Sequence, residues 1–475
     1  MQNSLKNELL AILEPVGQTH LLRFWDEIDD SSKERLAAQI KAIDWPTVLQ
    51  WTRQAGTGLS EAKKSALSPA PYKPLTPAEN DKALYTQAIA KGEELLKAGK
   101  VAAFTVAGGQ GTRLGYNGPK GTFPVTQVRH KSLFQLFAEG ILRAEKKYGN
   151  TISWYIMTSV INNDATVSFF KEHDYFGLQS EQVMFFTQGM LPAFDLQSGK
   201  ALLETKDSLA LSPNGHGGSF MALKDSGALA DMRKKGITTL SYWQVDNPMI
   251  KQFDPLFIGL HVLTGSDMSS KALIKRNAAE KLGHFCLLDG KTIIIEYSDM
   301  PDDLLQKTDA DGRLSFRAGS PAIHVLSTQF IEKLTAGHLD FLPHRALKKV
   351  PFIDENGNAV KPETPNALKL EFFLFDALPM AQSPLILEGS REDEFSPVKN
   401  PSGDDSPDSC RAALLAQTAR WFEEAGRPLP HKDDGTPDAL VELSPATFGG
   451  PEDISAYSDK MPQISSGDIA YFEFK

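Results

Sequence analysis

One segment constrains this chain more than any other: Val101-Ala-Ala-Phe-Thr-Val-Ala-Gly-Gly-Gln-Gly-Thr-Arg-Leu-Gly-Tyr-Asn-Gly-Pro-Lys-Gly121. An apolar run with the length of a buried strand passes directly into a loop containing Gly108, Gly109, Gly111 and Gly115. Glycines let the backbone approach a ligand closely and turn its amides toward anionic oxygens, so this is the pattern of a phosphate cradle. Arg113 can fork two donors onto phosphate, and Lys120, presented by the rigid Pro119, offers a point charge for a phosphoryl group under attack. The dinucleotide fingerprint fails because three residues rather than two follow Gly111 before the next glycine. The P-loop fails because no Gly-Lys-Ser/Thr opens a helix. The plainer alternative is a tight strand-to-helix turn, and Arg113 and Pro119-Lys120 at fixed offsets argue against it.

A strand that enters such a loop belongs to an α/β sheet, and the pattern downstream agrees. Val101–Val106, Trp154–Thr158, Val183–Phe186 and Thr238–Val245 read as buried strands, with helices expected over Leu133–Lys147 and Ser219–Lys235. The alternation predicts a doubly wound, mostly parallel sheet. Ser132-x-x-Gln135 supplies a capping box, and Asp289-Gly290 between two apolar runs is a hairpin signal that predicts an added antiparallel section. Residues 1–100 read as a helical N-terminal region. In it Ser31-x-x-Glu34 is expected to cap one helix, and Thr76-Pro77-x-Glu79 to start another that ends near Gly99. Residues 101–385 are expected to form the catalytic domain and 386–475 a small C-terminal domain.

Composition excludes several function classes. A net charge of −10 argues against nucleic-acid binding. No run of eighteen apolar residues occurs, so no membrane span is expected and the protein is placed in the cytoplasm. Cys286 and Cys410 lack metal spacing and read as buried free thiols, and no obligate protein partner is expected.

Asp246 ends the predicted strand Thr238–Val245, which puts its carboxylate at the C-terminal sheet edge where open α/β sheets bind ligands. It suits a magnesium ion, which needs only one or two carboxylates beside phosphates; the alternative is a strand-end carboxylate capping the turn before Pro248. Gln188 follows a strand with an amide able to donate and accept, as a pyrimidine edge requires. Taken alone, Gln188, Lys369 and Lys399 are ordinary solvated residues, and His284, His324 and His344 read as structural.

Together, Gly-Gly-x-Gly-Thr-Arg-Leu-Gly and Pro-Lys-Gly resemble the motif of the sugar-nucleotide pyrophosphorylases. His20–Glu27, Trp154–Ser159, Gln188–Ala193, Gln244–Asn247, Pro365–Phe375 and Arg391–Asn400 narrow the resemblance to the eukaryotic-type UDP-N-acetylglucosamine pyrophosphorylases and their UDP-sugar relatives. It implies a nucleotide-diphospho-sugar transferase fold and the formation of UDP-sugar and pyrophosphate from UTP and a sugar 1-phosphate, with Mg2+ as cofactor. It also implies site residues: Val106, Ala107, Gly108 and Gly109 beneath the nucleotide, Gln188 and Gly215 at uracil, and Asp246 at the metal and α-phosphate. Lys369 and Lys399 are implied at the phosphates, Glu296 and Tyr297 at the acceptor sugar. Two positions depart from the pattern: Gly215-His216-Gly217-Gly218 stands for the expected Gly-Asn-Gly-Gly, and Ala318-Gly319-Ser320 for Ala-Gly-Asn. Both His216 and Ser320 fall at the sugar end, which keeps a glucose or broad-specificity UDP-sugar enzyme as an alternative to N-acetylglucosamine 1-phosphate turnover. An inactive nucleotide-sugar sensor is the alternative from a different class, and intact Arg113, Lys120 and Asp246 argue against it.

Overall fold

The structure is a computed structural model and describes residues 2–54, 61–337, 339 and 341–474. Contacts divide the chain into two units. The smaller unit gathers 1–62, 188–222 and 337–377, and the larger 63–187, 223–336 and 378–475. Both are discontinuous in sequence, whereas the sequence reading placed consecutive boundaries at 100 and 385. Composition shifts mark linkers but carry no sign of which distant stretches pack together.

The larger unit is built on a twisted sheet. Val183–Thr187, Trp154–Thr158, Val101–Val106 and Thr239–Gln244 lie side by side and parallel, in that order. His324–Ser327 then pairs antiparallel with Thr239–Gln244, and Met268–Ile274 continues the sheet. The expected antiparallel section is present. Gly283–Leu288 turns through Asp289 (φ 50°) and Gly290 (φ 75°) into Lys291–Ile295, the two left-handed residues of the hairpin turn that matches strand twist.

The parallel strands form because they can be buried on both faces. Ala102, Ala103 and Phe104 are fully buried, as are Trp154, Tyr155 and Ile156 beside them. The helix Leu133–Tyr148 starts at Ser132, whose hydroxyl oxygen accepts from the Gln135 amide at 3.1 Å, and stops at Gly149 in the left-handed region. Its Phe134 and Phe137 meet Trp154 and Trp243, with ring centroids 6.2 and 5.5 Å apart. Other boundaries differ from expectation. Asp29, not Ser31, caps Asp30–Lys41 by accepting from the Ser32 amide at 2.7 Å, so the helix begins at Asp30 and takes Ser31 into its first turn. Thr76 caps nothing: a 3₁₀ turn over Glu79–Asp81 precedes the helix Lys82–Lys97. The helix expected over Ser219–Lys235 is two, Ser219–Asp225 and Ala228–Lys235, separated at Gly227 (φ 81°).

Residues 419–472 hold a small core of their own, including Phe422, Val441, Phe448 and Phe472. A buried polar knot ties this part to the sheet-covering helix: Lys131 donates to Glu139 at 2.6 Å and to the Tyr471 hydroxyl at 2.8 Å, and Ser444 donates to Glu139 at 2.9 Å.

The smaller unit contains the helices Gln2–Leu13, Asp30–Lys41 and Trp45–Gln54 and an antiparallel sheet of His344–Lys348, Ala367–Glu371 and Phe194–Asp195.

In the larger unit the helices Lys82–Lys97 and Pro255–Leu263 cross at two glycines. A Cβ on Gly259 would lie 1.7 Å from the Ala88 carbonyl oxygen, and one on Gly92 would lie 2.0 Å from that of Pro255. Both obstacles are backbone, so the helices must separate to admit a methyl. Gly259→Ala should therefore destabilise the protein by about 1–3 kcal/mol, read as a lower urea midpoint; an unchanged midpoint would show that the crossing is not tight.

Candidate active site

Strand Val101–Val106 and strand Thr239–Gln244 run parallel with Val106 opposite Gln244. The loops that leave their C-terminal ends therefore emerge side by side. One carries the glycines and the other Asp246, whose side chain is mostly buried. The glycine loop folds back on itself: the Gly111 amide donates to Gly118, and the Lys120 amide to Gly109 at 3.1 Å. A Cβ on Gly111 would lie 2.6 Å from the Tyr116 ring, so this turn requires glycine. The fold-back delivers Lys120 Nζ to 3.6 Å from Asp246 Oδ2.

The amides of Gly108, Gly109 and Gln110 meet no acceptor among the described residues. Arg113 is exposed on the short turn Thr112–Leu114 and likewise has no ion-pair partner among them. Unsatisfied amides beside an unpaired guanidinium and an ammonium only loosely paired with Asp246 form an anion site. Lys399 approaches from a third segment. The Val398 amide donates to the Asp246 carbonyl at 2.8 Å, and buried Asn247 binds the Glu394 carbonyl through Nδ2 at 2.7 Å and the Ser396 amide through Oδ1 at 3.1 Å. Asn247 thus fixes the approach of Ser396–Lys399 to Asp246. Asp405 closes the same loop, its carbonyl accepting from the Lys399 and Asn400 amides. Burial raises its carboxyl pKa, Lys399 opposes the rise and Asp246 adds to it.

Glu296, Tyr297 and Ser320 sit elsewhere in the larger unit. Glu296 follows the hairpin strand, and Ser320 pairs with Gly283. A Cβ on Gly283 would lie 2.8 Å from Ile294 Cγ2, so glycine there lets the hairpin strands pack closely beside Glu296. Tyr297 is 42% exposed. Beneath them Lys275 Nζ donates to His284 Nε2 at 2.9 Å. Burial pushes Lys275 down to about 8 and His284 to about 4, which leaves the imidazole neutral and able to accept.

The smaller unit brings together Gln188, Gly215, His216 and the strand that bears Lys369. The Gly189 carbonyl, next to buried Gln188, accepts from the Asn214 amide at 3.0 Å. Gly215 is left-handed (φ 85°), and a Cβ there would lie 2.4 Å from the Phe372 carbonyl oxygen. Gly217 donates to that same carbonyl, directly after Ala367–Glu371. His216 stacks on Phe373 at 5.4 Å between centroids, and its Nδ1 accepts from the Leu374 amide at 3.2 Å. That bond places the ring proton on Nε2. Burial, aided by His344, pushes its pKa down to about 4, so His216 is a neutral Nε2–H donor at working pH.

Asn162, Asn247, Asp405 and Lys275 were not found from sequence. Asn162 and Asn247 are bound by partners remote in the chain, while Lys275 meets His284 and Asp405 meets the Lys399 and Asn400 amides; no helix, strand or motif spacing marks any of these contacts.

A family profile described as UTP–glucose-1-phosphate uridylyltransferase matches residues 53–471. The chain belongs to this family. It is 36% identical over 489 residues to "UDP-N-acetylhexosamine pyrophosphorylase-like protein 1" of Mus musculus, covering 95% of this chain and 94% of the relative. It is 35% identical over 464 residues to "UDP-N-acetylglucosamine pyrophosphorylase" of Saccharomyces cerevisiae, covering 94% and 96%. Among solved structures, the putative UDP-N-acetylglucosamine pyrophosphorylase of Entamoeba histolytica shares 33% identity with a TM-score of 0.73, covering 86% of this chain and 99% of that one. The uridine diphosphate N-acetylglucosamine pyrophosphorylase of Trypanosoma brucei, in complex with inhibitor, gives 26% and 0.83, covering 99% and 98%. The uridylyltransferase family assignment agrees with the α/β architecture and with the resemblance carried by the glycine loop.

His216 yields a signed pH prediction. Its folded pKa lies below the unfolded value of 6.5, so its neutral form stabilises the fold above pH 6.5, and that contribution is lost as pH falls through the window from 6.5 to about 4. Between pH 7 and pH 5 the loss is about 2 kcal/mol. Unfolding of His216→Asn should be less acid-sensitive than that of the parent by about this amount; equal slopes would mean that the ring is protonated in the fold.

Proposed function

We propose that this protein is a uridylyltransferase that joins UTP to N-acetylglucosamine 1-phosphate, forming UDP-N-acetylglucosamine and pyrophosphate. The observation that carries the proposal is the glycine loop with open amides beside the Lys120–Asp246 pair. That arrangement suits two anionic groups meeting at one phosphorus. The Saccharomyces cerevisiae relative, which matches 94% of this chain, is named for this activity.

A sugar phosphate is already anionic at neutral pH, so no general base is needed, and catalysis rests on positioning and charge neutralisation. The phosphate oxygen of the sugar 1-phosphate attacks the α-phosphorus of UTP in line, forming the new P–O bond as the bond to pyrophosphate breaks. Lys120 Nζ stabilises the charge that builds on the α-phosphate. Arg113 and the loop amides take up the charge of the leaving pyrophosphate. In the smaller unit, Gln188 and Gly215 would read uracil, and Lys369 would bind phosphate. Lys399 would hold the sugar phosphate, and Glu296 and Tyr297 the sugar hydroxyls.

Magnesium fits the residues present. Asp246 is a hard oxygen donor, and among the described residues no group of three or more His, Cys, Asp or Glu side chains could hold a metal alone. A bound ion would therefore draw its other ligands from substrate phosphates and water. Magnesium held by Asp246 would supply charge neutralisation at the α-phosphate. No helix among the described residues is long and apolar enough to cross a membrane, and we place the reaction in the cytoplasm.

The hexose is set by His216 and Ser320 in this reading. Neutral His216 offers one N–H where asparagine would offer a donor and an acceptor, which favours tolerance of a plain hydroxyl beside the N-acetyl group. The parent should accept N-acetylglucosamine 1-phosphate and at least one other hexose 1-phosphate within about tenfold in kcat/KM, and His216→Asn with Ser320→Asn should sharpen the preference for the N-acetyl substrate without moving the KM for UTP. A double variant with parental selectivity would assign sugar choice to other residues. Lys120→Ala should lower kcat by about 100-fold or more with little change in KM for UTP, measured as pyrophosphate release; near-parental turnover would remove Lys120 from the mechanism. Asp246→Asn should shift the magnesium titration to higher concentration, and superimposable curves would exclude it as a ligand.

A further inference from the structure

The glycine loop does not hold its own shape unaided. Asn162, in the turn after strand Trp154–Thr158, is 0% exposed, and its amide reaches behind the loop. Nδ2 donates to the Ala107 carbonyl at 2.9 Å and to the Gly109 carbonyl at 3.1 Å. Oδ1 accepts from the Ser159 amide at 2.8 Å and the Ser159 hydroxyl at 3.0 Å. All four hydrogen-bonding positions of the side chain are used. The Asn162 carbonyl is held in turn by the Thr166 amide and hydroxyl at the start of the following helix.

In a trans peptide the C=O and the following N–H point in opposite directions across one rigid plane. Fixing the Ala107 and Gly109 carbonyls on Asn162 therefore turns the Gly108 and Gln110 N–H groups to the opposite side of the loop. Those amides are among the ones without a protein acceptor. The Gly109 carbonyl also accepts the Lys120 amide, so one peptide oxygen links Asn162 to the backbone of the lysine beside Asp246. Glycines in a loop can flip peptide planes at little cost, and here the side chain of Asn162 forbids the flip.

We infer that Asn162 is a positioning residue that orients the Gly108 and Gln110 amides toward the pyrophosphate end of UTP. The inference rests on the uridylyltransferase reading above, and it deepens that reading by assigning the loop amides to ligands that contain a pyrophosphate group not shared with sugar. Asn162 touches no substrate. Its effect should therefore be selective among ligands, which loss of a merely structural contact would not be.

The test uses the full-length protein and the variants Asn162→Val, which keeps bulk but has no donor, Asn162→Thr, which restores one donor, and Asn162→Asp. Rates are measured in both directions for UTP, pyrophosphate, sugar 1-phosphate and UDP-sugar, alongside thermal unfolding. Asn162→Val should lower kcat/KM for UTP and for pyrophosphate by about 10- to 100-fold, since it loosens two donors rather than deleting them. KM for the sugar 1-phosphate should move less than about twofold, and Asn162→Thr should recover part of the loss. Asn162→Asp should be the poorest variant at pH 8 and improve relative to the parent toward pH 6, where a protonated carboxyl regains a donor. Parental constants for UTP and pyrophosphate, an equal loss for all four ligands, or failure of every variant to fold would each overturn the inference. If the parent transfers no uridylyl group, the proposed function fails separately, and calorimetric titration of parent and Asn162→Thr with magnesium pyrophosphate still decides the role of Asn162: weaker binding by the variant supports it and equal binding overturns it.

Discussion

The candidate active site depends on which face of a few peptide planes points outward. Between Val106 and Lys120 the carbonyls of Ala107 and Gly109 are bound by protein donors, and the amides between them are left open. An exposed row of N–H groups attracts an anion without any charged side chain, and Arg113 and Lys120 then add net charge to a cradle already aimed. The parallel pairing of Val101–Val106 with Thr239–Gln244 sets the second half of the geometry. It brings Asp246 beside the loop and allows Lys120 to reach 3.6 Å from its carboxylate. An ion pair held this loosely leaves both groups able to exchange partners.

Behind Asp246 the structure uses buried charge to keep segments in place. Lys271 is almost wholly buried, and donates to Asp254 at 2.7 Å and Glu394 at 3.1 Å. Despite burial, the two carboxylates drive its pKa up, and Lys271 in turn draws Asp254 down. Such a triad contributes little net stability compared with an apolar replacement, but breaking one member leaves uncompensated charge. Its geometric effect is clear: Asp254 begins the helix Pro255–Leu263, and Glu394 ends the turn that leads to Lys399. Asn247 binds the Glu394 carbonyl from the other side. The two ends of the segment after Asp246 are therefore anchored to the segment that supplies Lys399.

Local chemistry in the sequence was legible wherever it acts over a few residues. The strand into the glycine loop, the Ser132 cap and the Asp289-Gly290 turn are all formed as their residues dictate. The cap expected at Ser31 lies at Asp29, because the helix already begins at Asp30, and the helix expected to be continuous over Ser219–Lys235 breaks at Gly227. The grouping of residues 1–62 with 188–222 and 337–377 was not legible, because only tertiary contact defines it. The same limit hid Asn162. A lone asparagine after a strand looks like a turn residue, and its meaning lies in two carbonyls more than fifty positions upstream. His216 was read as a departure from a family pattern. Its neutral state comes from burial aided by His344, and its tautomer is fixed by the Leu374 amide, far along the chain.

The central claim is a single in-line displacement at the α-phosphorus of UTP, driven by a preorganised cradle and without a covalent uridylyl-enzyme. The stereochemical course at that phosphorus tests it most directly. With UTP made chiral by one α-phosphorothioate oxygen and N-acetylglucosamine 1-phosphate as acceptor, the account predicts that the UDP-sugar forms with inversion of configuration. Retention would require two successive displacements and a covalent intermediate, and would contradict the account.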